Sequence, residues 1–200
     1  MEITLAITGA SGAIYPHRLL NLLAAEPSVS RINLIASRAA LRVLNDELDL
    51  EPLTLHNLAE KLVENHRQKI EVLSNDDIGA RIASGSHPVH AMAVVPCSMG
   101  TLGSIAHGIS RNLIQRAADV MLKERRKLVL VVRDTPFNLI HLENMRLATL
   151  AGAVVFSATP SFYHGETTLE GIVDQFLYRV MQQLGLNPEA AFRWSGDKEN

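Results

Sequence analysis

The sequence predicts an α/β fold with a single doubly wound, mainly parallel sheet that carries helices on both faces. Short apolar runs alternate along the chain with longer segments of helical periodicity, and such runs are typical of strands buried on both faces. Small or polar residues bound each run, and no internal repeat or linker interrupts the alternation. Strands that alternate with helices indicate a parallel sheet, and right-handed crossovers then place helices on both of its faces.

The expected elements follow this alternation in chain order. Strands are predicted at residues 3–7, 32–35, 91–95, 128–132 and 153–156. Helices are predicted at residues 15–25, 38–47, 55–66, 98–107, 112–125, 139–150 and 169–184. We expect residues 1–186 to form one domain and residues 187–200 to form a C-terminal tail. Because Phe192 and Trp194 lie in that tail, we expect it to dock on the active site rather than fray.

Composition narrows the classes of function. The 200 residues, 47% of them hydrophobic, suffice for one domain with a sizeable core. A net charge of −2 argues against a general nucleic-acid or membrane-surface binder. The single cysteine, Cys97, fits a reducing compartment and is interpreted as a small buried residue. No apolar run reaches the roughly 18 residues of a membrane span and no signal-peptide pattern is present, so we expect a cytoplasmic protein.

Polar and small residues follow the predicted strands at the positions where open α/β sheets bind ligands. The segment TGASGA at residues 8–13 follows the first strand and leads into a helix, where free N–H groups can hold an anion such as phosphate. A tight turn without a ligand is the alternative. Ser37 follows the second strand, and the segment SMGT at residues 98–101 follows the strand that ends at Val95. We expect these three strand ends to face one crevice.

A second group of candidates is charged. Arg116 and Lys123 are seven residues apart on one predicted helix, which places both on one face. Alone, this pair is most simply interpreted as a solvent-exposed face and a cationic helix C-terminus. The strand that follows this helix runs directly into Arg133. The sequence therefore predicts that at least one cation reaches the crevice.

Further polar residues can be interpreted either as ligand contacts or as ordinary structural residues. Tyr163 and Arg179 supply a phenol and a guanidinium that could bind a second phosphate, or they are a packed tyrosine and an exposed arginine. Glu47 alone indicates a surface carboxylate. Spacings typical of metal sites, such as HExxH or CxxC, are absent, so no catalytic metal is expected.

Taken together, blocks of sequence spread from Ile3 to Trp194 resemble the flavin prenyltransferase family of the UbiX type. The blocks are TGASGAIY at residues 8–15, SRAA at 37–40, ASGSHP at 83–88, PCSMGTLGSIAHG at 96–108, NLIQRAADVMLKERRKLVLVVRDTP at 112–136, HLENM at 141–145 and FYH at 162–164. The resemblance implies a flavodoxin-like or Rossmann-like homo-oligomer, possibly a dodecamer. It also implies transfer of a dimethylallyl group from dimethylallyl phosphate to N5 and C6 of reduced FMN. The product, prenylated FMN, would serve a partner decarboxylase, as in a ubiquinone-type pathway.

The resemblance assigns roles to individual residues. Expected FMN contacts are Gly9, Ala10, Ser11, Ser37, Ser98, Met99, Gly100, Thr101 and Arg133. Expected contacts to dimethylallyl phosphate are Tyr163, Arg179, Arg116 and Lys123, with Trp194 near the prenyl group. The expected catalytic residues are Ser11, Glu47, Lys123 and Asp134. If these assignments hold, the phosphate can leave without a metal, because arginine and lysine stabilise its charge.

Two departures from the family and one rival activity qualify the resemblance. Asp134 stands where the family commonly has glutamate; its carboxylate is expected to bond a phosphate-bound proton or to orient Lys123. Pro16 stands where glycine is usual, at a tolerated position near a helix start. The alternative is an FMN-dependent cysteine-type decarboxylase of the same fold. Those enzymes carry a PxMNxxMW block where this chain has RDTPF at residues 133–137, which favours the prenyltransferase.

Overall fold

Six strands and seven α-helices make up the fold in the computed structural model, which describes residues 1–194. The strands are β1 (Glu2–Ile7), β2 (Arg31–Ala36), β3 (Ile70–Ser74), β4 (Ala91–Cys97), β5 (Lys127–Val132) and β6 (Val154–Ser157). The helices are α1 (Ile14–Ala25), α2 (Arg38–Glu47), α3 (Leu58–Leu62), α4 (Met99–Ala106), α5 (Leu113–Lys123), α6 (Leu139–Leu150) and α7 (Leu169–Leu184). All six strands are parallel, which confirms the predicted fold class. None of the helices in this part of the chain has the length and apolar character needed to cross a bilayer.

The strand order determines where a ligand can bind. The order is β3-β2-β1-β4-β5-β6, the Rossmann type, in which successive strands spread outwards in both directions from β1. β1 pairs with β2 on one side and with β4 on the other. The ligand crevice of such a sheet lies beyond the carboxyl ends of the strands at this point of reversal. The loops after β1, β2 and β4 therefore frame the expected site.

Two hydrophobic layers cover the two faces of the sheet. On one face, Leu5 of β1 belongs to a cluster with Leu19 of α1 and Leu177 of α7. On the other face, Leu130 of β5 belongs to a cluster with Leu102 of α4. Fully burying one such side chain stabilises the fold by about 1.5–3 kcal/mol. Burial on both faces is also why the central strands are continuous apolar runs in the sequence.

The edge strand β3 is absent from the elements predicted from the sequence. Its residues pair with residues 32–36 of β2, and most of its side chains are only half-buried. An edge strand is covered less than a central one, so its sequence IEVLS contains no continuous apolar run. The Glu71 carboxylate of β3 accepts a hydrogen bond from Arg81 at 3.1 Å, a tertiary contact that periodicity does not reveal.

The third helix is shorter than predicted, covering Leu58–Leu62 instead of residues 55–66. Before it, the Asn57 side chain accepts a hydrogen bond from Thr54 N at 2.7 Å, and such a local bond competes with helical backbone. After it, His66 has a φ of 63°, in the left-handed region that a right-handed helix does not use. A local hydrogen bond before the helix and a left-handed residue after it therefore override the apolar periodicity.

Candidate active site at the carboxyl edge of the sheet

Thr8 joins the loop after β1 to the loop after β4. Its hydroxyl donates to Pro96 O at 2.7 Å and accepts from Ser98 N at 2.8 Å. The residue is buried, with 2% of its surface exposed. Both hydrogen-bonding roles of the hydroxyl are thus used to hold two crevice loops together. The sequence analysis included Thr8 in the segment TGASGA but gave its side chain no role, although its position directly after a strand could have indicated one.

Backbone hydrogen bonds align the neighbouring strand ends with these loops. Ser37 N donates to Ile7 O at 3.0 Å, and Arg133 N donates to Cys97 O at 3.4 Å. The ends of β2, β1, β4 and β5 consequently lie side by side. The strands before Ser11, Ser37 and Ser98 therefore end next to one another at the same edge of the sheet.

The Ser37 and Ser98 hydroxyls cap the helices that begin at the crevice. Ser37 Oγ accepts from Ala40 N at 3.0 Å, and Ser98 Oγ accepts from Thr101 N at 3.4 Å while donating to Thr101 Oγ1 at 3.1 Å. Met99 and Gly100 form the first turn of α4. The N-termini of α2 and α4 therefore present partial positive charge to the crevice, which favours an anion there.

Glu47 lies against the loop after β1, far from it in sequence. Its Oε2 accepts from Gly12 N at 2.8 Å and from Ala13 N at 2.7 Å. Burial alone would raise the pKa of the Glu47 carboxyl, but bonds from Ala13, the Ser11 hydroxyl and Gly12, with the charge of Arg133, hold it below its ordinary value. The expectation that these N–H groups hold a phosphate is wrong for Gly12 and Ala13, because Glu47 is the anion bound there.

The small residues of this loop are needed for two separate reasons. A Cβ added to Gly9 would lie 2.4 Å from the Ala39 Cβ, so the loop passes too close to α2 for any side chain. Gly12 has a φ of 114°, a conformation that residues with a side chain rarely adopt. Ala10, between them in sequence, is 7% exposed. The loop is therefore held in a shape that leaves Ser11 exposed at the crevice.

Arg133 supplies a buried polar atom that lacks a partner. Its Nε is buried and makes no hydrogen bond within residues 1–194. A buried donor left without a partner costs about 1–3 kcal/mol, so an acceptor from a ligand is the simplest explanation. With the capped N-termini of α2 and α4, this guanidinium fits a phosphorylated cofactor such as FMN.

A cleft of about 350 Å³ lies between β6, the loop that follows it and α7. Phe156 and Phe176 line it edge to face, with ring centroids 5.9 Å apart, and Tyr15 packs on Phe176 at 5.5 Å. Tyr163 and Arg179 line its exposed side. The structure thus brings together the two residues expected to bind the second phosphate, above an apolar floor that the sequence analysis missed.

The cleft adjoins both the crevice and the C-terminal tail. Ala158 N donates to Val132 O at 2.9 Å, which ties the loop after β6 to the end of β5. The Trp194 ring lies edge to face with Tyr163, at a centroid distance of 5.8 Å. Trp194 is therefore placed beside the cleft. The last part of the predicted tail, residues 195–200, lies outside the described residues.

Arg116 and Lys123 do not join the cleft within one chain. Their helix, α5, packs on the face of the sheet opposite to α7. Lys123 also ends α5, next to the amino edge where β5 begins. Arg116 pairs with Asp119 at 2.7 Å, and Lys123 pairs with Glu124. In a single chain these cations match the simpler interpretation of an exposed face, and a role at the cleft requires a second chain.

Asp134 lies at the carboxyl edge, where its Oδ1 accepts from Thr135 N at 2.9 Å. The idea that it orients Lys123 is wrong within one chain. The two residues lie beyond opposite ends of β5, which rises about 3.3 Å per residue. The exposed Asp134 carboxylate remains available to a ligand at the crevice.

Cys97, at the end of β4, is fully buried at this edge. Burial raises the pKa of the Cys97 thiol to about 12, so this cysteine stays protonated and is a poor nucleophile. Within residues 1–194, no group of three or more His, Cys, Asp or Glu side chains is placed to hold a metal ion.

Comparison with known proteins identifies the family. Residues 1–181 match the model of the Flavoprotein family. A protein of Methanocaldococcus jannaschii named flavin prenyltransferase UbiX is 41% identical over 194 residues, which covers 97% of this chain and 98% of that protein. The crystal structure of AnUbiX (PadA1) in complex with FMN and dimethylallyl pyrophosphate has a TM-score of 0.88 and 38% identity, with 98% of each chain covered.

A second solved structure is almost as similar. The dodecameric FMN-dependent UbiX-like decarboxylase from Escherichia coli O157:H7 has a TM-score of 0.86 and 37% identity, covering 98% of this chain and all of that one (100%). Both the sequence and the structural similarity thus extend over nearly the whole chain. The chain belongs to the Flavoprotein family and, within it, to the flavin prenyltransferases of the UbiX type.

Proposed function

We propose that the protein binds FMN at the carboxyl edge of its sheet and transfers a dimethylallyl group from dimethylallyl phosphate to the reduced flavin. The observation that carries this proposal is the pairing of two adjoining sites. One is a crevice with the unpartnered Arg133 Nε, and the other is an aromatic cleft that carries Tyr163 and Arg179. Two anionic molecules, one of them apolar at its far end, fit this pair of sites.

The chain's own residues hold the flavin. The N-termini of α2 and α4, capped by Ser37 and Ser98, together with Arg133, bind its phosphate and polar edge. When bound and reduced, FMN supplies the nucleophilic N5 and C6 positions. The Ser11 hydroxyl helps to hold the pKa of the Glu47 carboxyl below its ordinary value, so this pair can take up and hold a proton beside the flavin. Glu47 is consequently the proton acceptor in this proposal.

The cleft holds the prenyl donor. Arg179 and the Tyr163 hydroxyl bind the phosphate, and the Tyr163 and Trp194 rings face the allylic carbons. Aromatic faces stabilise positive charge, which develops on those carbons as the bond to the phosphate breaks. Phe156 and Phe176 receive the two methyl groups. The electron pair of the breaking bond leaves with the phosphate, where fixed cations stabilise it.

One chain supplies too little positive charge for this step. A phosphate monoester carries about −1.5 to −2 charges at neutral pH, and Arg179 supplies a single positive charge. We therefore propose a homo-oligomer in which Arg116 and Lys123 of a neighbouring chain complete the phosphate site. Exposed apolar side chains on α6, including Leu139 (80% exposed), Ile140 (69%) and Leu150 (71%), offer a surface for such contacts. A dodecamer like that of the Escherichia coli relative is the expected form.

Two expectations complete the proposal. The buried, reduced Cys97 fits a reducing compartment, which supports a cytoplasmic protein. Prenylated FMN has no further role at this site, so a partner decarboxylase is expected to take it up. The rival cysteine-type decarboxylase is less favoured, because the segment RDTPF at residues 133–137 replaces the block those enzymes carry.

Mass spectrometry of the extracted flavin tests the proposal. The protein is loaded with FMN, reduced without oxygen and incubated with dimethylallyl monophosphate or, in a parallel arm, the diphosphate. We expect flavin with one added C5H8 unit, and none when FMN stays oxidised. Arg179→Met should abolish the product at low donor concentration, while Arg42→Met, at an exposed arginine on α2, should not. Unmodified flavin in both arms, with CO2 release from a peptide ending in cysteine, would establish the rival activity.

A further inference from the structure

A single glutamine fixes the course of the C-terminal tail. Gln175, on α7, donates from Nε2 to Ala190 O at 3.2 Å and accepts at Oε1 from Phe192 N at 2.9 Å. A backbone N–H only donates and a carbonyl only accepts, so the orientation of this amide is fixed by its partners. Gln175 thereby bonds the tail on both sides of Ala191.

The tail has an anchored base and a weakly buried end. Leu186 and Ala191 are 5% and 7% exposed, so the base packs on the domain. Beyond Ala191 the burial ends: Phe192 is 37% exposed and Trp194 is 67% exposed. Apolar burial alone therefore does not determine where the last two aromatic rings lie. The two hydrogen bonds of Gln175 hold the backbone on both sides of this point. Ala191 N also donates to Pro188 O at 3.3 Å, and the Arg193 guanidinium donates to Asn187 Oδ1 at 3.0 Å.

The same bonds bring the tail rings to the cleft. Phe192 and Trp194 lie 5.3 Å and 5.8 Å from the Tyr163 ring centroid. Gln175 and Arg179 are four residues apart on α7, which places them on the same face of one helix. The neighbouring residue Phe176 lines the cleft. One helix face thus carries both the tail attachment and the phosphate-binding arginine.

We propose that Gln175 is a positioning residue, which fastens the tail to α7 so that Phe192 and Trp194 close one side of the donor cleft. The attachment of the tail stands on the hydrogen bonds alone, whereas the identity of the donor rests on the proposed function. Gln175 acts on the donor only through these two rings. Its loss weakens donor binding and leaves the flavin crevice, on other loops, unchanged.

Limited proteolysis tests the attachment without any substrate. Trypsin removes the end of the tail by cutting after Arg193, and intact-mass measurements follow the loss. In the full-length protein, Gln175→Leu should accelerate this cut about tenfold, the size expected for losing two hydrogen bonds. Gln175→Glu keeps the acceptor for Phe192 N and loses the donor to Ala190 O. Its cleavage rate should therefore lie between those of the wild type and Gln175→Leu. The control is Gln183→Leu, at an exposed position on the same helix. Trypsin should cleave this variant at the wild-type rate.

Steady-state kinetics test the consequence for the donor. Gln175→Leu should raise the KM for dimethylallyl monophosphate about fivefold to tenfold, with the FMN Kd and the thermal midpoint matching those of Gln183→Leu. A wild-type cleavage rate in Gln175→Leu would overturn the attachment. Faster cleavage with an unchanged KM would overturn the assignment to the donor cleft. If the wild-type protein transfers no prenyl group, the proposed function fails, and the cleavage rates still decide whether Gln175 holds the tail.

Discussion

The carboxyl edge of the sheet has two halves that one chain completes to different degrees. The flavin half comprises the loops after β1, β2, β4 and β5, and the donor half comprises the cleft between β6 and α7 with the tail beside it. In the flavin half, Thr8, Ser37 and Arg133 are joined to neighbouring strand ends by hydrogen bonds. In the donor half, Tyr163 is 64% exposed and Trp194 is 67% exposed.

The difference shows how position in the sheet affects a site. Four adjacent strand ends support the flavin half, so its geometry is set before any ligand binds. The donor half depends on the last strand, one loop and a tail. The two further cations that we propose for it, Arg116 and Lys123, lie on a helix at the other face of the sheet. We infer that the flavin half is preorganised within each chain and that the donor half is completed by assembly.

The largest effect is expected from Glu47→Gln, which tests whether the flavin half does chemistry or only binds. The amide oxygen can still accept from Gly12 N or Ala13 N, so the loop should persist. The rate of prenyl transfer should fall about 10³-fold, as for loss of a general base, with FMN affinity within a few-fold of wild type. Single-turnover measurements with reduced FMN give both values. An unchanged rate of prenyl transfer would show that Glu47 only holds the loop after β1 and takes no part in the chemistry.

The pH dependence of this residue has a definite sign. The pKa of Glu47 lies below its ordinary value, since hydrogen bonds and Arg133 outweigh burial. The stabilisation that it gives the loop is therefore fully present above the ordinary carboxyl pKa of about 4.5 and is lost as the pH falls through the lower, folded value. The Glu47→Gln variant should lack this acid-side loss of stability, which unfolding curves measured at several pH values would show.

Asp134→Asn is expected to give the next largest effect. Asp134 lies in the flavin half, but its carboxylate is expected to bond a proton on the phosphate of the donor. The rate of prenyl transfer should fall about 10²-fold, while FMN affinity stays the same, since the amide oxygen can still accept from Thr135 N. Asp134→Glu keeps the charge and should remain within about tenfold of wild type. Equal rates of prenyl transfer in Asp134→Asn and the wild type would show that Asp134 only stabilises the local turn.

Arg133→Met tests whether the unpartnered Nε belongs to the flavin site. Losing charge-assisted hydrogen bonds should weaken FMN binding about 10- to 100-fold, measured by fluorescence titration. Arg42→Met is the matched control on the exposed surface of α2. If FMN affinity is unchanged, the buried Nε of Arg133 has another partner, and Arg133 does not belong to the flavin half.

Thr8→Val tests whether rigidity of the flavin half matters for binding. The methyl group keeps the shape and leaves Ser98 N without its acceptor, so FMN affinity should fall about tenfold and the free energy of unfolding by about 1–3 kcal/mol. Thr8→Ser should restore both. The control is Thr4→Val, at a buried threonine in β1, the strand that leads into Thr8, which should change stability without changing FMN affinity. Equal loss of affinity in both variants would indicate a general effect of the strand.

The smallest effect is expected from chelation. The proposed phosphate site uses arginine and lysine, so EDTA should leave the rate of prenyl transfer unchanged in the assembled protein. Activity that stops with EDTA and returns with magnesium would show that the donor half is completed by a metal rather than by cations of a neighbouring chain.

The sequence by itself determined the features that arise from local burial and local hydrogen bonding. The buried strands are continuous apolar runs because helices cover both faces of the sheet. Ser37 and Ser98 could be located because a strand that ends before a capped helix leaves a signature over a few residues. The likeness of several such blocks to one family then supplied the cofactor and the candidate residues.

Only the tertiary structure decided how distant residues meet. Glu47 reaches the N–H groups of Gly12 and Ala13, and Gln175 reaches the tail, through contacts that no periodicity encodes. The structure also placed Lys123 away from Arg179, although both are cations expected at one phosphate. The physical reason is that pattern along the chain reflects the surroundings of each element, whereas crossovers and packing determine which elements become neighbours.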